Sequence, residues 1–418
     1  MRAARRYADP VRVAPLALRP GPAALEALPA LSRALEGEGP LLVPHAEGAG
    51  SPAALPSRAE GAPDDAAVAI GTSGSTGNPK LAVLSAGALR ASAEATHEVL
   101  GGPGVWLLAL PPHHIAGLQV LLRSLVAGHA PVPVERHSTF AAYHLSDAVA
   151  AARAQAPGAR RYTSLVPTQL VRLLATEEGV AALRGLDGIL VGGAATSSDV
   201  LERARAHRVP VVTTYGMSET CGGCVYDGRP LPGVQVRLDG RRILLGGTPV
   251  AHGYLSGGRL VDGGGAFTSD ESGTRWFRTD DLGHEDRTRL VIDGRVDDVV
   301  VSGGLKVLPR DVERAFEPLL PDGTSITVLG VPDPEWGECV GAVFVPRPCE
   351  HPGQAVARLE ARVPELLQQA RSALPAHALP RRVRVVATLP LRGPGKPDRE
   401  ALRRLLRCES PEQEDAHA

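Results

Sequence analysis

Lysine is scarce in this chain: of 45 basic residues only Lys80, Lys306 and Lys396 are lysines, so arginine does nearly every job that needs positive charge alone. A position that keeps a compact ammonium with three mobile donors suits a phosphate or an oxyanion that moves during reaction, which the planar guanidinium fork serves less well. A bland reading, an arginine-rich coding bias that spared three lysines by chance, competes with this for all three. Aromatic residues make up only 3% of the chain and the net charge is -1. No basic stripe with interleaved aromatics is present, which excludes nucleic acid as a main partner and favours small molecules. Five cysteines in 418 residues do not make a disulfide framework. Cys221 and Cys224 lack the second ligand pair of a structural zinc site.

Long apolar runs are missing too. The arginine-rich start, residues 1–22, has no continuous apolar core of a secretory signal, and a stretch such as 105–110 cannot span a bilayer. The expectation is a cytoplasmic protein without stable membrane insertion, an organelle transit peptide being the rival reading of the same composition. The acidic end, residues 409–418, predicts a disordered tail.

The length and a 43% hydrophobic content allow two or more domains with sizeable cores. From about residue 64 to 213, strands alternate with alanine-rich helices, the pattern of a parallel sheet covered by helices. Strands are predicted at 66–70, 81–84, 189–191 and 211–213, and a helix at 86–100. Between 230 and 290 short apolar runs separated by Gly, Asp and Pro, as around Asp239-Gly240, predict β-hairpins. Mixed signals resume after Asp293-Gly294-Arg295, where a domain boundary is expected.

The richest segment is Gly71-Thr-Ser-Gly-Ser-Thr-Gly-Asn-Pro-Lys80, between two predicted strands. Glycines let backbone N–H groups approach an anion, the hydroxyls of Thr72, Ser73, Ser75 and Thr76 add donors, and Lys80 adds charge. A Walker loop would need Gly-Lys-Ser/Thr opening a helix. Here Pro79 precedes the lysine and an apolar strand follows, so a phosphate loop of another class is indicated.

That loop resembles the signature of the acyl- and aryl-adenylating superfamily, which includes acyl-CoA synthetases, peptide-synthetase adenylation domains and luciferases. Further segments follow in the superfamily's order. Pro111-Pro-His-His-Ile-Ala-Gly117 is similar to its acyl-pocket segment, Val191-Gly-Gly-Ala-Ala195 to its adenine-side turn, and Thr214-Tyr-Gly-Met-Ser-Glu-Thr220 to its Tyr-Gly-x-Ser/Thr-Glu motif. Trp276-Phe-Arg-Thr-Asp-Asp-Leu-Gly283 resembles the ribose-binding segment and Gly294-Arg-Val-Asp-Asp298 the hinge. Ser302-Gly-Gly-Leu-Lys-Val-Leu-Pro309 resembles the strand that later faces the thiol, and Gly393-Pro-Gly-Lys-Pro-Asp398 the terminal catalytic lysine. The set covers residues 64–405.

The resemblance implies an α/β fold: a large N-terminal domain of helix-covered sheets plus a small β-barrel-like subdomain (1–293), followed by a small mobile α+β C-terminal domain (294–408) with its hinge at Asp297. It implies attack of a carboxylate on the α-phosphorus of ATP, then transfer of the acyl group to CoA, with ATP, magnesium and CoA required. Bringing two anions together is mainly an electrostatic problem. By resemblance Lys396 bridges carboxylate and α-phosphate, and Thr72, Ser73, Gly74, Ser75, Thr76, Gly77 and Lys80 hold the outer phosphates. Glu219 helps hold magnesium, a hard cation that prefers oxygen. Gly193, Ala194, Thr214, Tyr215, Gly216, Ser218 and Thr220 surround the nucleotide, with Tyr215 stacking on adenine. Asp281 takes the ribose diol, although Asp280, which replaces a usual glycine, is a conceivable rival, and Arg295 contacts ribose or phosphate. Gly303 and Gly304 leave room for a pantetheine arm, with Lys306 nearby. Plainer readings stay open: Glu219 as a cap, Tyr215 as a core aromatic, Arg295 as a surface ion-pair partner.

The segment 163–170 and the short length look similar to o-succinylbenzoate:CoA ligases of the menaquinone pathway, the compact actinobacterial type. This implies an acid pocket of His114 and His113, with Ser164, Thr168, Gln169, Gly192 and Met217. A core histidine is the plainer reading of His114. An enzyme that loads a carrier protein, or a nucleotide-binding pseudoenzyme, remains as an alternative, and a homodimer is left open. The phosphate loop arrives early in the chain, so one N-terminal subdomain is shortened. Val301 stands where some relatives have a lysine.

Overall fold

The computed structural model describes residues 10–48, 55–72, 80–135, 141–321, 323–347, 349, 351–392 and 396–407, without the side chains of Arg392 and Lys396. The expected tail at 409–418 and the tip of the phosphate loop lie outside these residues. Contacts divide the chain into two units. The first takes the described residues up to Thr196, then Arg203–Thr279 and Glu285–Leu290; the second takes Ser197–Glu202, Asp280–His284 and those from Val291 onward.

In the first unit one seven-stranded sheet runs in the order Arg259–Val261, Gly253–Ser256, Leu81–Ser85, Ala66–Gly71, Leu41–Ala46, Val11–Leu18, Arg58–Ala59. A second runs Arg229–Pro230, Gly222–Tyr226, Val211–Met217, Gly188–Val191, Arg160–Leu165, Gly104–Leu108, Val132–Pro133. Strands such as Gly104–Leu108 are buried throughout, which explains their unbroken apolar sequence.

In this unit parallel pairing joins the second sheet's strands from Val132–Pro133 through to Val211–Met217 and, in the first sheet, Leu41–Ala46 to both Val11–Leu18 and Ala66–Gly71, whereas Ala66–Gly71 and Leu81–Ser85 are antiparallel neighbours. The segment between those two is too short for a crossover helix, which needs a dozen residues or more, so the chain turns back on itself. The helix Ala86–Leu100 starts where Ser85 Oγ accepts from Ala88 N–H at 3.0 Å and ends at Gly101, φ 89°, the serine and glycine caps such a helix needs.

The hairpin region at 230–290 divides between two sheets. Val234–Asp239 and Arg242–Gly247 form a hairpin in a five-stranded antiparallel sheet that also holds Phe267–Ser269, Arg275–Asp286 and Arg289–Arg295. Gly253–Ser256 instead pairs antiparallel with Leu81–Ser85, Tyr254 opposite Ala82. That pairing carries Tyr254 to the strand that leaves the phosphate loop.

The second unit is built on Leu305–Val307, Val300–Ser302, Gly337–Val345 and Ser325–Asp333, with Arg382–Val385 added in parallel to Gly337–Val345. The helices Pro309–Phe316, Pro352–Ala370 and Arg399–Arg407 accompany it. Its core sets Phe316 edge-on to Phe344, centroids 5.6 Å apart. Among the described residues no helix is long and apolar enough to cross a membrane.

Candidate active site

The phosphate loop is the turn of an antiparallel hairpin. Gly71 sits opposite Leu81, and Thr72 N–H donates to the Lys80 carbonyl at 2.8 Å, closing the loop at its base. Ser73, Gly74, Ser75, Thr76 and Gly77 lie outside the described residues. Lys80 is exposed, with its Nζ 5.1 Å from the centre of the Tyr254 ring, within cation–π range.

A second loop lies against the base of the first. The strand Val211–Met217 breaks register between Tyr215 and Gly216 and leads into a single 3₁₀ turn, Ser218–Thr220. Gly216 is obligatory, since a Cβ there would stand 2.0 Å from the Gly222 carbonyl oxygen. Ser218 Oγ donates to the Gly71 carbonyl at 3.0 Å. Glu219 is buried, and its Oε1 accepts from the Tyr254 hydroxyl at 2.7 Å. The Glu219 carbonyl accepts from Ala251 N–H at 2.8 Å. Thr220 is fully buried, its hydroxyl accepting from Met217 N–H at 3.1 Å and facing the Gly222 carbonyl at 2.9 Å. That hydroxyl shapes the loop on which Ser218 and Glu219 sit.

Buried polar groups back this loop. Cys221, at φ 55°, offers its carbonyl to Gln119 Nε2 at 2.7 Å and to Ser92 Oγ at 3.5 Å. Arg123 lies over the Trp106 ring at 5.0 Å and donates to the Tyr226 hydroxyl, which also bonds Thr96 at 3.0 Å. Trp106 Nε1 donates to His97 Nε2 at 3.1 Å. Burial, and then Arg123, pull the His97 pKa down to about 4, so the ring is neutral and can accept. Burial pushes both thiols up, Cys224 to about 12, leaving them unreactive thiols.

The turn at 191–195 adjoins the same strand because Gly188–Val191 pairs in parallel with its first half. Gly192 is required by contact: a Cβ would stand 2.3 Å from Thr214 Oγ1. Thr214 Oγ1 donates to the Val191 carbonyl at 3.3 Å. Gly193 takes φ 83°, and Gly193 and Ala194 are exposed while Tyr215 and Met217 are half-buried.

In the acid-pocket segment Gly117 lies so close to the Pro111 carbonyl that a Cβ would come within 2.1 Å. This contact fixes the turn that carries the histidines ahead of the helix Ile115–Ala127. The rings of His113 and His114 lie 4.2 Å apart, His114 exposed and His113 half-buried. Burial, then nearby His45, lower the His113 pKa. Ser164 is buried and Thr168 half-buried. Gln169 is buried, its Oε1 accepting from Val166 N–H at 3.0 Å and its Nε2 donating to the Ala109 carbonyl at 3.2 Å, so its amide ties the segments at 109 and 166 together.

In the second unit Arg295 Nε bonds Asp297 at 2.8 Å, and its terminal nitrogens lie 3.7 Å from Asp281 and 3.8 Å from Asp280. The Asp281 side chain is 14% exposed against 60% for Asp280, so the two candidate carboxylates sit in different environments. Asp298 pairs with Arg399. The hairpin 300–307 turns at Gly303 and Gly304, φ 59° and 80°. A Cβ on Gly303 would stand 2.4 Å from the Trp336 ring, whereas nothing lies within 4 Å of one on Gly304. Lys306 is exposed on this hairpin, opposite Val301. The backbone of Lys396 pairs with Arg392.

The sequence reading missed Tyr254. In a chain with only six tyrosines each one invites a reason, yet its partner strand is distant in sequence and local pattern does not reveal the pairing. Among the described residues no three His, Cys, Asp or Glu side chains gather to hold a metal. A buried, hydrogen-bonded Glu219 carboxylate beside a phosphate loop does fit a magnesium ion held largely by phosphate and water oxygens.

The AMP-binding enzyme family matches residues 19–255 and the AMP-binding enzyme C-terminal domain matches residues 319–396. A probable 2-succinylbenzoate–CoA ligase of Mycobacterium tuberculosis is 42% identical over 385 residues, spanning 90% of this chain and 94% of that relative. A 2-succinylbenzoate–CoA ligase of Escherichia coli is 33% identical over 283 residues, 65% of this chain and 57% of the relative. Among solved structures, an o-succinylbenzoate coenzyme A synthetase from Bacillus subtilis in complex with AMP matches with a TM-score of 0.63 at 25% identity, covering 82% of this chain and 69% of that one. The chain, on both its sequence and its fold, belongs to the AMP-binding enzyme family.

Proposed function

We propose that this protein is an ATP-dependent acid:CoA ligase that converts 2-succinylbenzoate first to its acyl adenylate and then to the CoA thioester, a step of menaquinone synthesis. The observation that carries the reading is the joining of Lys80, Tyr254 and Glu219 at the base of the phosphate loop. A cation and a buried carboxylate joined in this way suit the joint handling of a triphosphate and its metal. The 42% identity to a relative named for that substrate supports the choice of acid.

Each residue then has a task that its chemistry suits. Lys80 and the loop hold the outer phosphates, and Glu219 is the protein oxygen offered to magnesium, which neutralises charge on the departing pyrophosphate when bound. Lys396 bridges the attacking carboxylate and the α-phosphate. Asp281, with Arg295, binds the ribose. Gly304 leaves a passage for pantetheine, and rotation about Asp297 exchanges Lys396 for that passage between the two steps. Burial of an unpaired carboxylate is costly, so the substrate's second carboxylate needs donors. Ser164, Thr168, Gln169, His113 and His114 are the candidates.

A panel of acids scored by ATP–pyrophosphate exchange and by CoA-dependent AMP release tests this. 2-Succinylbenzoate is expected to exceed benzoate, cinnamate and medium-chain fatty acids. An order-of-magnitude win by a monocarboxylic acid removes the substrate assignment and leaves the ligase; exchange with acids but transfer only to a carrier protein removes CoA.

A further inference from the structure

Tyr254 is fixed on all sides that matter. Its strand is held by pairing with Leu81–Ser85, its ring meets Phe267 edge-on at 5.1 Å, and a Cβ on Gly263 would stand 2.7 Å from it. The residue is only 6% exposed, so the ring has no room to swing. From this fixed position the hydroxyl donates to Glu219 Oε1 at 2.7 Å while the ring face receives the Lys80 ammonium at 5.1 Å.

The two contacts do different work. A buried carboxylate can adopt several rotamers, and a strong charge-assisted bond to a rigid phenol selects one. A lysine has a flexible four-carbon stem, and an aromatic face confines its ammonium without neutralising it, so the full charge stays available to an anion. The loop bases are also tied: Ser218 to Gly71, Thr72 to Lys80 and Ala251 to Glu219. Tyr254 adds a side-chain link to those backbone ties.

We propose that Tyr254 is a positioning residue of the adenylation half-reaction. One side chain sets both the carboxylate offered to the metal and the cation offered to the phosphates, and neither needs to be found anew when ATP arrives. This rests on the ligase reading above, in which Glu219 serves magnesium and Lys80 serves phosphate.

Two variants separate the two contacts. Tyr254→Phe keeps the ring and its packing and removes only the hydroxyl; Tyr254→Leu removes the face under Lys80 as well. ATP binding to the full chain is measured by calorimetry with and without magnesium, together with exchange kinetics, transfer from supplied acyl adenylate to CoA, and melting temperature. In Tyr254→Phe the gain in ATP affinity given by magnesium is expected to shrink about tenfold, the usual weight of a bond to a charged group. Magnesium-free ATP affinity should hold. The exchange kcat should fall by about the same factor, with KM for the acid and the CoA step unchanged. Tyr254→Leu should also weaken ATP without magnesium.

Equal losses of ATP affinity with and without magnesium in Tyr254→Phe overturn the proposal in favour of a packing role, as does an unchanged magnesium gain. If the unaltered protein itself shows no magnesium-dependent gain, the ligase reading beneath the proposal fails with it. If it shows the gain and Tyr254→Phe retains it, only the proposal falls.

Discussion

Two glycine-bearing hairpin loops serve this chain, and they are braced in opposite ways. The base of the loop between Ala66–Gly71 and Leu81–Ser85 is met from outside by Ser218, at Gly71, and by Tyr254, at Lys80. Buried polar groups from the helices Ala86–Leu100 and Ile115–Ala127 stand behind the Glu219 loop that supports it. The turn between Val300–Ser302 and Leu305–Val307 is backed on one residue only, where Gly303 lies on Trp336, and is bare at Gly304. On the proposed reading, the loop that presents charge to a polyanion is tied to its neighbours, and the loop that admits an arm is left uncovered. Both use glycine, but the reason differs by residue.

The sharpest way to break this contrast is to remove the charge that the proposed function assigns to the first half-reaction alone. Lys396→Ala should lower adenylation by roughly 10²–10³-fold, the usual loss of one preorganised charge donor. Transfer from a supplied acyl adenylate should survive, and a matched fall of both half-reactions would dissolve the division of labour.

The bare hairpin offers the next test. Gly304→Leu should leave pyrophosphate exchange in place while thioester output drops by roughly 10²-fold through a blocked approach. Gly304→Asn, which tolerates positive φ better, serves as the backbone control. Gly303→Leu should instead collide with Trp336 and lower the melting temperature. If the two leucine variants behave alike, the distinction between a supported and an open glycine is lost.

The braced side can be loosened from behind. Gln119→Leu removes the 2.7 Å donor to the Cys221 carbonyl and leaves it the longer bond from Ser92 Oγ, so it should cost about 1 kcal/mol of stability, read from denaturant midpoints. Activity per folded molecule should change little.

A further test of the braced side is a pH slope. His97 holds its pKa near 4 in the folded chain because it is buried, below the value of the unfolded chain, so the unfolded state takes up the proton first. Stability should therefore decline as pH falls from the ordinary imidazole range towards 4, and level off below. His97→Gln can still accept from Trp106 and should flatten that slope in urea titrations at stepped pH.

Legibility in the sequence followed the distance over which each feature is determined. The helix Ala86–Leu100 and the strands beside it could be read because caps and apolar runs are local. So could the ordered motifs at Gly71–Lys80 and Thr214–Thr220, whose residue types suit phosphate and metal. Tyr254 could not, because its meaning comes from pairing with a strand far earlier in the chain. Nor could the framework bonds of Gln169 and Thr220 be read, because their partners are set by the fold and not by the motif. The parallel sheet was over-extended, since alternating strands and helices do not disclose that one pair is a hairpin.

The close approach at Gly117, where any side chain would run into the Pro111 carbonyl, carries a consequence for how tolerance to change should be measured in cells. Substitution there should deplete the amount of folded enzyme through quality control rather than slow each molecule that survives. A growth-based survey would rank Gly117 with Glu219, and only dividing flux by protein abundance would tell the two apart.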